Sequence, residues 1–251
     1  MSGGKTAGLR AGGDRPIIPA KTQRIAQAGV GLRIFYADPG DLKPHEESIY
    51  DRIQQVRLSL LKTGVLRRPL IIDEKTGVII DGTHRYEALK SIGVCRVPVV
   101  GVDYLSEDEV MIASWVRVYV LKKNLDVDSR SIADLLAGMR GVDVNRIGRA
   151  FVVSIDAGDP QKIYREIAFL EKNSAFMHSV DRVVFRSRIN YLTLRRTPSI
   201  AIIPPPLGKE DVVKAGLSGK PFPPKSTRHL TILKRLELRI RVKELMGDSC
   251  S

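Results

Sequence analysis

Apolar residues come in short bursts along this chain, and within a few residues their spacing switches between a strand period and a helix period. Leu32-Arg33-Ile34-Phe35-Tyr36 predicts a short strand, and Asp38-Pro39-Gly40-Asp41 a turn. Lys43-Pro44-His45-Glu46-Glu47 leads into a predicted helix in which Ile53, Val56, Leu60 and Leu61 recur at helical spacing and which Gly64 ends. Leu70-Ile71-Ile72, opened by Pro69, and Val78-Ile79-Ile80 read as strands on either side of the polar turn Asp73-Glu74-Lys75-Thr76-Gly77. Asp81-Gly82 breaks the second strand. Thr83 to Ile92 predicts a short helix that packs through Tyr86, Ala88, Leu89 and Ile92, and Val97 to Val102 the next strand. Such alternation predicts a compact α/β unit with a mixed sheet, its strands almost continuously apolar because helices cover them.

The pattern changes after Asp103-Tyr104, which divides the chain into a first domain over residues 31–104 and a second over 105–251. Trp115 to Leu121 alternates like a half-exposed strand. Ile132 to Met139, Tyr164 to Leu170 and Glu210 to Leu217 predict helices; Val183-Val184-Phe185 and Tyr191-Leu192-Thr193-Leu194 predict strands. Pro204-Pro205-Pro206 predicts a stiff loop. A basic helix is expected from Thr227 to Met246, apolar at Leu230, Leu233, Leu236 and Ile240. Residues 1–30 are rich in Gly, Ala and basic residues without sustained periodicity, which predicts a flexible basic tail, with the segment around Arg24-Ile25-Ala26 the one stretch able to pack on the body. The fold class is therefore α/β (α+β), with a mixed α/β second domain.

Composition adds a sign. The 41 Lys and Arg against 28 Asp and Glu give a formal charge of +13, so the partner is expected to be an anion: nucleotide, nucleic acid, anionic metabolite or acidic membrane. The two cysteines, Cys95 and Cys250, are far apart in sequence, which predicts unlinked thiols in a reducing, cytoplasmic compartment. No apolar run reaches the roughly 18 to 20 residues that cross a bilayer, so no membrane partner is expected. Walker-type loops, dinucleotide fingerprints and zinc spacings are absent from the sequence.

Three short segments carry candidate chemistry. In Asp81-Gly82-Thr83-His84-Arg85 a strand turns straight into a helix, which aims unpaired N–H groups and the positive helix end at one spot. Arg85 adds a fork for phosphate oxygens, and the alternative reading is an ordinary corner capped by Asp81. In Pro223-Pro224-Lys225-Ser226-Thr227-Arg228-His229, cations crowd the start of the predicted C-terminal helix, where they oppose its dipole unless an anion sits there; the alternative is a solvated basic cap. His45-Glu46-Glu47 is read as a helix start, where acids are welcome in any case. Trp115 is the sole tryptophan and on its own reads as a packing residue.

The span Leu66 to Val102, with Pro69, Asp81-Gly82-Thr83-His84-Arg85 and Gly93, resembles the ParB/sulfiredoxin-like superfamily, whose Gly-x-x-Arg turn binds phosphate. Lys43-Pro44-His45-Glu46, the same turn, Trp115 and Phe222-Pro223-Pro224-Lys225-Ser226-Thr227-Arg228-His229 together resemble the free L-serine kinases of archaea and their bacterial siderophore-pathway relatives, from about residue 33 to about 240. The resemblance implies a ParB/sulfiredoxin-like first domain and phosphoryl transfer from ADP or ATP to free L-serine, giving O-phospho-L-serine for cysteine synthesis. It also implies roles: Asp81 as base with Glu46 assisting; Gly82, Thr83, His84 and Arg85 on the transferring phosphoryl group; Lys225, Ser226, Thr227, Arg228 and His229 as a phosphate clamp; Trp115 and Glu46 at the serine. Mg²⁺ is expected to be held mainly through the nucleotide, with no dedicated protein ligand set. Where the family often reads Asp-Gly-His-His-Arg, this chain has Thr83, which offers a hydroxyl without a charge. The competing class is a ParB-like nucleic-acid-binding or nucleotide-dependent partition protein, favoured by the charge and by the arginines between Arg182 and Arg196.

Overall fold

The structure, a computed structural model, describes residues 23–24, 33–106, 109–122 and 141–246. The predicted tail, apart from Gln23–Arg24, the predicted helix from Ile132 to Met139 and Cys250 lie outside the described residues. The described chain forms an α/β fold of two subdomains, each built on its own mixed sheet.

In the first subdomain, β1 (Gln23–Arg24), β2 (Arg33–Ala37), β3 (Lys43–Pro44), β5 (Leu70–Asp73), β6 (Val78–Asp81) and β7 (Val97–Val102) pair in the order β1-β2-β7-β5-β6-β3. The pairs β5–β7 and β3–β6 are parallel and the others antiparallel. The short β4 (Val65–Leu66) stands outside that sheet. Helices α1 (Tyr50–Thr63) and α2 (Thr83–Ser91) cover one face, with Leu60, Tyr86, Ala88 and Leu89 buried against Phe35, Leu70, Ile72 and Val99. Leu61, expected on the packed face of α1, is 56% exposed. Gly64 ends α1 at φ 65°, its N–H donating to the Leu60 carbonyl at 2.8 Å.

One expectation is corrected here: Glu46 is not at a helix start. Residues 45–47 form an isolated bridge to Phe222, whose N–H donates to the His45 carbonyl while the Glu47 N–H donates to the Phe222 carbonyl, each at 2.8 Å. Backbone groups committed to a partner about 175 residues away are not free to start a helical turn. α1 begins only at Tyr50.

The second subdomain pairs β9 (Val116–Leu121), β10 (Val142–Ile147), β11 (Ala150–Ile155), β12 (Val180–Arg186) and β13 (Ser199–Ile203) in the order β10-β11-β13-β9-β12, after a separate β8 (Met111–Ser114). β9 is not the half-exposed strand its alternation predicts. On one face Tyr119 and Leu121 meet Ile163 and Ile167 of α3 (Pro160–Leu170) and Phe176 of α4 (Ser174–Ser179). On the other, Val116 and Val118 meet Ala150, Val152, Leu194 and Ala201. A strand flanked by β12 and β13 and covered on both faces has no polar side to show. Tyr191–Leu194, predicted as a strand, is a single helical turn, α5, because the Asn190 side chain caps it by accepting the Thr193 N–H at 3.2 Å.

The C-terminal stretch departs furthest from expectation. After α6 (Lys209–Leu217), the predicted helix over Thr227–Met246 is replaced by β14 (Thr227–Leu230), a 3₁₀ turn (Ile232–Arg235), β15 (Ile240–Arg241) and a short α7 (Val242–Met246). β14 pairs antiparallel with β8, and β15 with β4. The apolar residues that suggested one helical stripe serve different cores: Leu233 and Leu236 pack with Ile34, Ile71 and Val100, Val242 and Leu245 with Phe35 and Leu60, and Leu230 is exposed. Tertiary pairing has overridden local periodicity. Residues 209–246 thus return to the first subdomain and enclose a cleft against it. At the far end of this return the Leu245 carbonyl accepts the Cys95 N–H at 2.9 Å, and Cys95 is disulfide-bonded, against the expectation of unlinked thiols and the support it lent to a reducing compartment. No helix among the described residues is long and apolar enough to cross a membrane.

Candidate active site

A cleft of about 470 Å³ opens where β6, α2, the 45–47 segment and the 225–234 return meet. It gathers Glu46, Asp81, Gly82, Thr83, His84, Arg85, Trp115, Lys225, Thr227, Arg228 and His229, which the sequence singles out; Ser226 is fully buried just behind it. It also gathers Arg68 and Lys234, which the sequence reading missed.

β6 delivers Asp81 with a one-residue irregularity in its pairing with β5: Ile71 faces Asp81, yet Ile72 faces Ile79. A bulge of this kind bends the strand and re-aims the side chain beside it. Gly82 follows at φ 107°, a conformation that L side chains avoid, and a Cβ there would lie 2.9 Å from Arg85 Nη2. No side chain caps α2, so the N–H groups of its first turn, at Thr83, His84 and Arg85, have no capping acceptor and face the cleft beside Asp81. Arg85 ion-pairs with Asp81 through Nη2, while its Nη1 donates to the carbonyls of Arg68 at 3.2 Å and Pro69 at 2.5 Å. The Lys234 ammonium takes the other Asp81 oxygen at 3.0 Å. His84 Nε2 accepts the Ile49 N–H at 3.1 Å, which puts its proton on Nδ1, and burial lowers its pKa, so the ring is a neutral donor.

The opposite wall is the 225–229 segment. Since no helix starts there, its backbone donors have a different use from the one expected. Lys225 sits at φ 63°, and the N–H groups of Lys225, Ser226 and Thr227 converge on the Glu46 carboxylate at 2.9, 3.1 and 2.9 Å. The Thr227 hydroxyl adds a fourth contact at 2.8 Å. Successive N–H groups around a left-handed residue make an anion-binding nest, and here the protein's own Glu46 fills it. Trp115 Nε1 donates to the Thr227 carbonyl at 3.0 Å, and the indole face carries the Arg228 guanidinium 4.7 Å and the Lys225 ammonium 5.9 Å from its centroid. Trp115 is therefore a platform for two clamp cations.

Behind this wall lie two buried histidines with rings 5.2 Å apart. His45 Nδ1 meets the Ile79 carbonyl at 2.5 Å and Nε2 the Thr227 hydroxyl at 2.9 Å. His229 Nε2 and the Tyr104 hydroxyl share a hydrogen bond at 2.8 Å. Burial lowers the pKa of His45 and pushes that of His229 well down, while it raises that of Tyr104. His229, expected among the clamp cations, is thus a neutral ring that braces the wall. Lys234 left no local signal: it reads as one position on a solvated helix face, and only the β14 turn-back brings it to Asp81.

No protein-family model matches the chain. A ParB-like protein of Sulfolobus acidocaldarius is 29% identical over 201 residues, covering 79% of this chain and 90% of that protein. An ATP-dependent L-serine kinase of Staphylothermus marinus is 23% identical over 220 residues, covering 77% of this chain and 83% of the kinase. A free serine kinase solved in complex with AMP superimposes with a TM-score of 0.59 at 19% identity, covering 91% of this chain and 96% of that one, which shows a shared fold. The protein is a distant relative of the ParB/sulfiredoxin-like superfamily. At low identity it is related specifically to free serine kinase homologues.

Proposed function

We propose that this protein transfers the terminal phosphoryl group of ADP or ATP to free L-serine, giving O-phospho-L-serine, a product suited to cysteine synthesis. The observation that carries the reading is Asp81: a carboxylate beside the uncapped first turn of α2, in a cleft with Arg68, Lys225, Arg228 and Lys234 on its walls. An anion-binding turn joined to one carboxylate suits phosphoryl transfer, where positioning and charge stabilisation dominate the barrier.

In the proposed reaction the serine hydroxyl lies on Asp81 and attacks the terminal phosphorus in line. An O–P bond forms to serine, the bond to the departing AMP or ADP breaks, and Asp81 takes the hydroxyl proton late. The N–H groups of Thr83, His84 and Arg85, with the Thr83 hydroxyl and the neutral His84 ring, receive the transferring oxygens, and Gly82 lets them approach. Lys225 and Arg228, held by Trp115, neutralise the departing nucleotide; Ser226, Thr227 and His229 keep that wall in shape. Glu46 seats the clamp turn and places negative charge where the serine ammonium enters, with Trp115 bounding that side. Among the described residues no group of three or more His, Cys, Asp or Glu converges as a metal set. The facing carboxylates are committed, Asp81 to Arg85 and Lys234 and Glu46 to the nest. In this reading Mg²⁺ comes with the nucleotide substrate, held by phosphate and water.

Incubation with L-serine, Mg²⁺ and either ADP or ATP should yield O-phosphoserine; no product with either nucleotide removes the reading. A second reading, nucleic-acid binding, is favoured by one feature: a groove of about 330 Å³ on the far face of the second sheet, lined by Arg182, Arg186 and Arg188. Salt-sensitive DNA binding without serine-dependent turnover would select it instead.

A further inference from the structure

We propose that Lys234 reads the carboxylate of the acceptor, and so makes this site select a β-hydroxy amino acid over the amino alcohol that lacks the carboxylate. The proposal rests on the phosphoryl-transfer reading of the cleft. Five cations line that cleft, and four of them are committed elsewhere. Arg85 spends its fork on Asp81 and two backbone carbonyls. Lys225 and Arg228 lie on the Trp115 indole, on the clamp wall. Arg68 stands at the rim, about half exposed, and pairs with Glu237 at 3.7 Å.

Lys234 alone is both next to the reacting position and open. Its ammonium pairs with Asp81 Oδ1 at 3.0 Å, and its side chain, which lines the cleft, is 37% exposed. It is also held in place. The 3₁₀ turn that carries it is capped by the Thr231 hydroxyl, which accepts the Leu233 N–H at 3.2 Å, and Leu233 and Leu236 anchor the turn in the first subdomain's core.

The chemistry of serine supplies the rest. Its hydroxyl and carboxylate are joined through only two carbons, so a carboxylate oxygen lies roughly 3–4 Å from the hydroxyl by standard covalent geometry. A hydroxyl placed on Asp81 brings the carboxylate within reach of an ammonium that already touches Asp81. That carboxylate also lies close to the incoming phosphoryl oxygens, and a cation between the two anions relieves their repulsion. An amino alcohol such as ethanolamine presents the same hydroxyl and ammonium but nothing for Lys234 to bind.

The test compares L-serine with ethanolamine as acceptor for the wild-type protein, Lys234→Met and Lys234→Arg, with binding of the nucleotide and melting temperature measured alongside. Removing a charge-assisted contact is expected to raise the KM for L-serine about 10- to 100-fold in Lys234→Met, with kcat within a few-fold. The kcat/KM for ethanolamine should fall far less than that for L-serine, so that discrimination collapses, and Lys234→Arg should recover part of it. If Lys234→Met lowers kcat/KM for both acceptors by the same factor, Lys234 acts only through Asp81 and the proposal is overturned. Should Lys234→Met melt early, the same comparison is read from Lys234→Arg and Lys234→Gln. No serine phosphorylation by the wild-type protein would remove the kinase reading itself, which is a distinct result from equal losses in the variant.

Discussion

The two walls of the cleft use the same device in opposite states. At Gly82, a left-handed residue opens a helix whose first N–H groups have no capping side chain. At Lys225, another left-handed residue turns three successive N–H groups inward, and there the Glu46 carboxylate already occupies them. The first turn has no capping acceptor from the protein; the second is a latch that ties the returning chain to the first subdomain, reinforced by the Glu46–Phe222 bridge. Anion-binding geometry alone therefore does not separate a ligand site from an internal brace. What separates them is whether the protein supplies the anion itself.

The largest expected effect strikes the open wall. Asp81→Asn keeps the shape of the side chain but removes its charge and its capacity to accept the proton, and kcat should fall by about 10²- to 10⁴-fold. A nucleotide titration should show affinity within a few-fold of wild type; an equal loss of binding would mean that Asp81 holds the nucleotide instead.

Glu46→Ala opens the filled wall. Losing a charged acceptor shared by four donors should cost about 1.5–3 kcal/mol in denaturant unfolding. It should also free the nest's N–H groups, so inorganic phosphate should raise the melting temperature of the variant more than that of the wild type. Equal responses would mean that the turn does not keep its nest without Glu46.

Gly82→Ala tests the open wall by strain. Its φ of 107° and the 2.9 Å approach to Arg85 Nη2 predict a loss of about 1–2 kcal/mol of stability, together with weaker nucleotide binding. Unchanged binding would detach the turn from the phosphate.

The smallest effect is on the pH dependence of folding. Burial lowers the folded pKa of His45 and His229 below the unfolded value of 6.5, so in the window beneath 6.5 the unfolded chain binds more protons. Stability is then fully present above pH 6.5 and declines as pH falls, by at most about 1.4 kcal/mol per pH unit for each ring. A flat profile between pH 7 and 5 would show that these rings are protonated inside the fold.

The same contrast explains what the sequence discloses. Asp81-Gly82-Thr83-His84-Arg85 is legible because everything that makes it is local: an apolar strand, a residue that tolerates positive φ, and a helix directly after it. The Lys225 wall is legible as a motif but not as a structure. Its partners, Glu46 and the β8 strand, lie about 180 and 115 residues away, and no periodicity within residues 227–246 announces them. The apolar spacing there mimics a helix because Leu233, Leu236 and Ile240 answer to different cores. Lys234 and the neutral state of His229 follow from that misread segment, since both depend on where the chain turns back. In the second sheet, β10, β11 and β13 escaped notice, and β9 looked half-exposed because alternating Val and Arg or Tyr imitates a solvent face when the arginine, Arg117, is in fact wholly buried.

The most direct test of the account is a ³¹P NMR time course with L-serine, Mg²⁺ and ADP or ATP, run on the wild-type protein and on Asp81→Asn. The account predicts a serine-dependent phosphomonoester signal from the wild type and almost none from the variant, while both bind nucleotide comparably. No such signal from the wild type with either nucleotide, or an equal signal from Asp81→Asn, would contradict it.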